Sequence, residues 1–341
     1  MTASSVAIIL VNWNGWQDTI ACVQSCLSLD YPEFRIIVCD NGSRDGSLER
    51  IAAWARGETS VPVDLASPVH LAAPRLPRGV AILNRAEAEA GDDGDGSELI
   101  LVDTGGNLGF AGGNNIGLRW MLACGVDHAW LLNNDTVVPA DALTHLVDAA
   151  TADPSLGLIG STMIEYHRPD TLQAYGGAID LRTFRGRHLG MGRRADAVAA
   201  AVTADPLRTH EVLYPIGASL LATGMFVRSV GLMEESYFLY YEEADWVLRG
   251  RPVFRAGLAP ASHVYHKIGA SAGSTPQGIS ARSVGFLYRS RLRAAYRFAG
   301  RQLPRVVLGI LDEAARALVR GRKGRAIGAF KALTGRIKVP R

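Results

Sequence analysis

The chain is expected to fold as an α/β protein with a mostly parallel central sheet. Two observations predict it. Short β-rich apolar runs alternate with stretches of helical periodicity through the first half. Each of four such runs then breaks abruptly into Asn, Asp and Gly. The sharpest case is Ala129-Trp-Leu-Leu-Asn-Asn-Asp-Thr136, where the acid Asp135 ends a buried strand. In open α/β sheets, ligands bind outside the carboxyl ends of the strands.

Taken in order, Val6–Val11 is a continuous β-rich run, and Asp18–Leu29 carries Ile20, Val23 and Leu27 at helical spacing. Phe34–Cys39 reads as a second strand, followed by the loop Asp40-Asn-Gly-Ser-Arg-Asp-Gly46 and a helix at Leu48–Ala55. Residues 57–97 interrupt the rhythm with four prolines and the run Gly91-Asp-Asp-Gly-Asp-Gly96. This stretch is too long for an ordinary connection and reads as a surface insertion with one short strand at Val80–Leu83. Its Asp/Gly cluster lacks calcium-loop spacing and a closing Glu.

Leu99–Val102 is the next strand, then a Gly/Asn-rich loop and a helix near Asn115–Ala123. After the Asp135 strand come a helix at Asp141–Ala150 and a strand at Leu156–Ile159. Residues 170–220 read as irregular strands and loops, and Lys267–Ser283 as a mobile Gly/Ser/Ala loop. In the helices beyond it, Val284, Tyr288, Leu292, Ala295, Tyr296 and Ala299 mark an apolar face, with Arg289, Arg293 and Arg297 on another. The domain expectation is a catalytic unit over 1–270, interrupted at 57–97, and a loop plus basic helical region over 271–341.

Composition excludes several classes. At 341 residues, 48% apolar and 20% charged, the chain is neither disordered nor fibrous. No apolar stretch approaches the roughly 20 residues of a membrane-spanning helix, and the N-terminus lacks a signal-peptide pattern. Cys22, Cys26, Cys39 and Cys124 read as buried reduced thiols, as in a cytoplasmic protein. The net charge of +3 hides an asymmetry: residues 281–341 hold 16 Lys and Arg against two acids. Such a tail points to an anionic membrane surface, or equally to a helical cap with a solvated basic face. Nucleic acid is not expected as a partner, because the basic residues lack an aromatic-rich reading surface.

Four polar loops would converge on one sheet edge: Asn12-Trp-Asn-Gly15, Asp40-Asn-Gly-Ser43, Asn107-Leu-Gly-Phe-Ala-Gly-Gly-Asn-Asn115 and Asn133-Asn-Asp135. Singly they are ordinary turns; together they argue for a site. The Gly-rich loop suits backbone N–H contacts to phosphate, although it is not a Walker loop. Gly190-Met-Gly-Arg-Arg-Ala195 matches a dinucleotide fingerprint, but no apolar strand precedes it. In Tyr240-Tyr-Glu-Glu-Ala-Asp-Trp246 a helix puts Glu242, Asp245 and Arg249 on one side. That arrangement suits a simple Asp245–Arg249 pair. The surrounding aromatics also suit a carboxylate with a raised pKa, as in a general base. His266 precedes the Gly/Ser loop.

Together these pieces resemble the family-2 glycosyltransferases of GT-A fold, especially the bacterial rhamnosyltransferase-like branch. The resemblance rests on Ile8-Ile-Leu-Val-Asn-Trp-Asn-Gly15, Val38-Cys-Asp-Asn-Gly-Ser43, the 107–115 loop, Leu131-Leu-Asn-Asn-Asp-Thr136, Gly217-Ala-Ser219, Phe238-Leu-Tyr-Tyr-Glu-Glu-Ala-Asp245 and His266-Lys-Ile-Gly-Ala-Ser271. It spans roughly residues 5–295 and implies an inverting transfer of a sugar, rhamnose first, from a nucleotide-diphospho-sugar to a glycan or lipid-linked acceptor.

The resemblance also implies roles. Asp40 would bind the nucleotide base beside Asn12 and Trp13. Asn107, Gly109 and Asn114 would line the nucleotide or its phosphates. Asn133 and Asp135 stand where the family has its Asp-x-Asp, with Asp135 and His266 as ligands of Mn2+ or Mg2+. Glu243 stands at the catalytic base, flanked by Glu242 and Asp245. Two departures stand out: Asn133 removes one charge from the metal motif, and Glu243 is one methylene longer than the usual Asp. Other readings are a sugar nucleotidyltransferase, or a non-catalytic protein binding sugar nucleotides or polysaccharide. The expected location is cytoplasmic, peripheral on the cytoplasmic face of the membrane.

Overall fold

A computed structural model describes all residues except 1–2, 63, 65, 71–74, 199–201, 203–204, 268–273, 276–277 and 338–341. Five parallel strands build the first half of the sheet: β1 (Val6–Asn12), β2 (Phe34–Asp40), β3 (Val80–Asn84), β4 (Leu99–Asp103) and β5 (His128–Asn133), in the order β3-β4-β2-β1-β5. Helices α1 (Trp16–Cys26), α2 (Ser47–Ala55), α3 (Arg85–Ala90) and α4 (Gly109–Ala123) connect them. Strand β1 shows why the run is continuous rather than alternating. Val6, Ile8 and Leu10 enter one core while Ala7 and Ile9 enter the other, so both faces are buried. Trp54, Leu143 and Leu146 fill the first core; Trp120, Phe226 and Trp246 fill the second.

The chain continues through β6 (Thr136–Val137), α5 (Ala142–Ala152), β7 (Leu156–Glu165), β8 (Arg168–Ala174), β9 (Gly176–Asp180), β10 (Gly186–Leu189), β11 (Glu211–Tyr214) and β12 (Ser219–Thr223). Next come α6 (Gly224–Val230), α7 (Glu242–Gly250) and β13 (Arg255–His266). The large sheet extends as β5-β12-β7-β13-β6, with β8 paired to β7. Strand β12 is antiparallel to both β5 and β7, and β13 runs parallel to β7. A separate sheet, β10-β9-β11, covers part of the structure. Helices α8 (Ala281–Ala299), α9 (Leu303–Val319) and α10 (Lys323–Leu333) close the fold around Tyr288, Val306 and Ile310.

The α/β expectation holds, with corrections. Residues 80–90 are not surface decoration: β3 is the edge strand of the main sheet, paired along its length with β4. Asn84 and Glu87 then cap α3 reciprocally. Helix α4 starts at Gly109, six residues before the expected Asn115, so much of the supposed glycine loop is helical. Glycine disfavours helix in isolation. Here it lets the helix lie on β1: a Cβ at Gly117 would fall 2.6 Å from the Ile9 side chain. Region 170–220 is more ordered than expected, forming β8 to β12. Tyr296 is 73% exposed instead of sharing the buried face of α8, and Arg291 is buried in its place. The Gly190–Ala195 decoy follows the four-residue strand β10, which lies in the small sheet and not in the parallel sheet where a dinucleotide fingerprint would start. Cys22, Cys26 and Cys39 are free and buried; Cys124 is free and partly exposed. Among the described residues no helix is long and apolar enough to cross a membrane.

Candidate active site

The strand register brings the predicted loops to one edge. Asn12 pairs with Asp40, Asp40 with Asp103, and Val11 with Asn133, so β1, β2, β4 and β5 end together. The order of strands reverses at β1, which has β2 on one side and β5 on the other.

A buried polar network fixes this edge. Asn12 donates through Nδ2 to Asp40 Oδ1 at 2.6 Å and to Ser43 Oγ at 3.1 Å. Its Oδ1 accepts from Thr19 Oγ1 at 2.8 Å and from Asn134 Nδ2 at 3.4 Å. Asn134 also donates to Thr19 Oγ1 at 2.9 Å. Asp40 accepts further from Ser43 Oγ at 2.6 Å and Ser43 N at 3.0 Å. Such closed networks hold loops rigidly. Asp40 is thus largely engaged within the protein, and Trp13, 37% exposed, stands beside it.

Two predicted phosphate contacts need correction. At the start of α4, Leu108 N donates to Asn41 Oδ1, Gly109 N to Asn107 Oδ1, and Phe110 N to the Phe238 carbonyl. These backbone donors are taken, because docking the glycine-rich helix onto its neighbours supplies them with protein acceptors. Gly109, at φ +73°, earns its place by close approach to Phe238 instead. Asn114 is 2% exposed and donates to the Phe110 carbonyl at 2.9 Å, which gives it a role inside the helix.

Asp135 and His266 do come together. The last pair of β13 and β6 sets His266 opposite Thr136, next to Asp135. His266 Nε2 lies 3.1 Å from Asp135 Oδ1, with both residues buried. Behind the ring, Nδ1 is 2.8 Å from Gln173 Oε1. An amide oxygen only accepts, so Nδ1 carries the proton and Nε2 faces the carboxylate. Nε2 and Oδ1 therefore meet across a second proton or a cation. A buried imidazole and carboxylate, with the imidazole oriented from behind, is a donor set that fits a divalent metal. Among the described residues no third His, Cys, Asp or Glu joins them. Asn133, partly exposed, has its backbone N–H bonded to the Ala218 carbonyl at 2.9 Å.

Lys267 adds a cation that sequence reasoning missed. Its backbone N–H donates to the Asp135 carbonyl, its Nζ is 2.7 Å from Asp18 Oδ1, and it sits 4.9 Å from the Tyr166 ring centroid. Gln173 was also missed, and its sequence neighbourhood carries no signal. Of the expected loop at 267–283, residues 268–273 and 276–277 lie outside the described residues; Ser280 caps α8, which begins at Ala281.

The acidic triplet on α7 splits into three roles. Burial lifts the Glu243 carboxyl above the usual glutamate range, while backbone hydrogen bonds from its own N–H and from Gly217 oppose that shift. Glu242 is 1% exposed, and its Oε1 has no hydrogen-bond partner among the described residues. Burial first, then the neighbouring Glu243 charge, pushes its carboxyl well above the ordinary value. Asp245 is different: it is fully buried, 2.6 Å from Arg249 Nε, 3.2 Å from the Tyr237 hydroxyl and 3.2 Å from Arg297. A carboxylate held by two cations and a phenol is structural, so the expected catalytic part for Asp245 is withdrawn. Ahead of these acids, Tyr240 and Tyr241 both adopt left-handed φ, 69° and 76°. Such residues cost about 1–3 kcal/mol each and persist where packing holds them.

Residues 7–63, which include β1, the first loop and the Asp40 loop, match the family model described as Glycosyl transferase family 2. Over that segment the chain is similar to the family-2 glycosyltransferases. Its fold is similar to that of the mannosyltransferase PcManGT from Pyrobaculum calidifontis, solved with GDP-Man and Mn2+. The TM-score is 0.54 at 14% identity, covering 98% of this chain and 88% of that one. GalNAc-T7, solved with UDP, GalNAc and Mn2+, gives a TM-score of 0.54 at 11% identity over 86% of this chain and 48% of that one. At these identities the likeness concerns the GT-A fold. Among curated protein sequences none matches the chain.

Proposed function

We propose that this glycosyltransferase moves a sugar from a nucleotide-diphospho-sugar to an acceptor hydroxyl in one inverting step, with Glu243 as base. The observation that carries the reading is the joint placement of two centres on one stretch of backbone. Asn133, at the start of the Asn-Asn-Asp segment, bonds to Ala218, and Gly217 beside it packs directly against the Glu243 carboxyl. One-step displacement needs a leaving-group side and a base side held in fixed relation.

Asp135 and His266 would hold Mn2+ or Mg2+, with Gln173 orienting the imidazole. When bound, the cation neutralises charge on the departing diphosphate. The chain's own residues supply the rest. The Asn12–Asp40–Ser43 network fixes the floor for the nucleotide beside Trp13. Asn107 holds the turn into α4. Glu243 in its ionised form, its proton affinity raised by burial, accepts the proton of the acceptor hydroxyl as the new glycosidic bond forms and the nucleoside diphosphate departs.

Rhamnose is the donor sugar to test first, by branch resemblance, and a glycan or lipid-linked alcohol the acceptor. Peripheral attachment to an anionic membrane is part of the reading. It is supported by Leu308, Leu311, Leu318 and Val319, which form an exposed apolar stripe along α9 among arginines. A donor screen by thermal shift, with and without Mn2+, followed by labelled-sugar transfer, tests the activity. Pyrophosphate release from a nucleoside triphosphate, without sugar transfer, would refute it.

A further inference from the structure

A cavity of about 250 Å³ lies between the β9–β10 turn and helices α8, α9 and α10, and no residue of the sheet-edge site lines it. Six arginines do: Arg185, Arg291, Arg316, Arg320, Arg322 and Arg325. Only two acids oppose them. Asp312 pairs with Arg316 at 2.9 Å, and Glu313 accepts from buried Arg291 at 3.0 Å. That leaves a surplus of four positive charges around one partly open space. Arg320 and Arg322 make no ion pair among the described residues, and Arg325 Nε is buried with no hydrogen-bond partner among them.

We infer that this cavity binds a phosphate or diphosphate group. Like charges gathered in a partly enclosed space repel, and a buried donor without an acceptor is destabilising. A multivalent oxyanion relieves both, and guanidinium forks match its geometry better than any other cation. The volume is below the roughly 300–1,000 Å³ of drug-sized sites, so it suits the phosphate group rather than a whole nucleotide. The group has two sources, a lipid-borne phosphate or a free one. The exposed stripe of α9 favours the lipid.

The turn that walls the cavity also holds the segment leading into α7. Arg291 Nε bonds to the Thr183 carbonyl at 3.0 Å, and the hydroxyl of Tyr241, which precedes α7, bonds to the next carbonyl, Phe184, at 2.5 Å. An occupied pocket would therefore steady the turn on which the Glu243 segment rests.

The test is calorimetric titration of the full chain with pyrophosphate in EDTA, which silences metal-dependent donor binding. The expected result is saturable 1:1 binding, weakened at least tenfold in the Arg320→Ala/Arg322→Ala double variant. Arg301→Ala/Arg305→Ala, which removes the same charge outside the cavity, should leave it unchanged. Flotation with phosphatidylglycerol and with phosphatidylcholine vesicles separates the sources. Loss of phosphatidylglycerol binding in the cavity variant alone identifies a lipid phosphate; pyrophosphate binding without flotation identifies a free one. Equal effects of the two double variants, or binding to neither probe, would overturn the inference. The four arginines substituted are exposed or rim-lying, and an unchanged thermal midpoint verifies folding.

Discussion

Glu243 packs against Gly217 so closely that a single methyl group at Gly217 would overlap the Glu243 carboxylate. The base segment and the Asn-Asn-Asp segment thus meet through a residue that has no side chain.

Gly217→Ala should therefore behave as a misplaced-base variant. Overpacking costs about 1–3 kcal/mol. Transfer should fall at least tenfold while the donor-induced thermal shift persists, and Glu243→Gln should do the same more completely. Unchanged transfer in Glu243→Gln would remove Glu243 from the mechanism.

Asp135→Ala and His266→Ala should each lose the Mn2+-dependent part of donor binding, measured by calorimetry with and without metal. Gln173→Ala should weaken metal affinity about 10-fold to 100-fold, the usual effect of losing a partner behind a ligating histidine. Metal dependence retained in Asp135→Ala would refute the proposed ligand set.

Glu242 gives stability a definite sign of pH dependence. Its folded carboxyl binds a proton more tightly than in the unfolded chain. That contribution is complete below the ordinary glutamate value of about 4.3 and declines as pH rises toward the folded value. Glu242→Gln, which cannot ionise, should gain thermal stability over the wild type at pH 8 but not at pH 4. An equal difference at both would contradict a protonated Glu242.

The raised carboxyl of Glu243 also places the acid limb of kcat/KM above the normal glutamate range. A pH–rate profile with its acid limb near 4 would contradict that environment.

Asp245→Asn should cost stability instead of chemistry. Removing one partner of a buried ion pair typically costs about 3–5 kcal/mol. The thermal midpoint should drop, while folded protein keeps its donor-induced shift. Full stability with lost transfer would return Asp245 to the active site.

The sequence by itself determined the mostly parallel sheet and the polar loops at its edge. Continuous apolar runs such as Ile8–Val11 must be buried on both faces, and polar residues ending them must emerge at one edge. It also marked Asp135 and His266 by their local context, whereas Glu243 is singled out only by the family resemblance. Its errors share a cause. Gly109–Asn115 has loop composition, yet packing against β1 makes it helix. Val80–Asn84 lies in a proline-rich stretch, yet an open strand edge beside β4 recruits it. Asp245 and Glu243 are two residues apart and chemically alike. Only the arrival of Arg297 and Gly217 from other elements decides which carboxylate is locked between two cations and which packs against a glycine. Local sequence sets which groups ionise and which segments are apolar. The partners that hold a buried charge, as Gln173 holds His266 from 93 residues away, come from the tertiary structure alone.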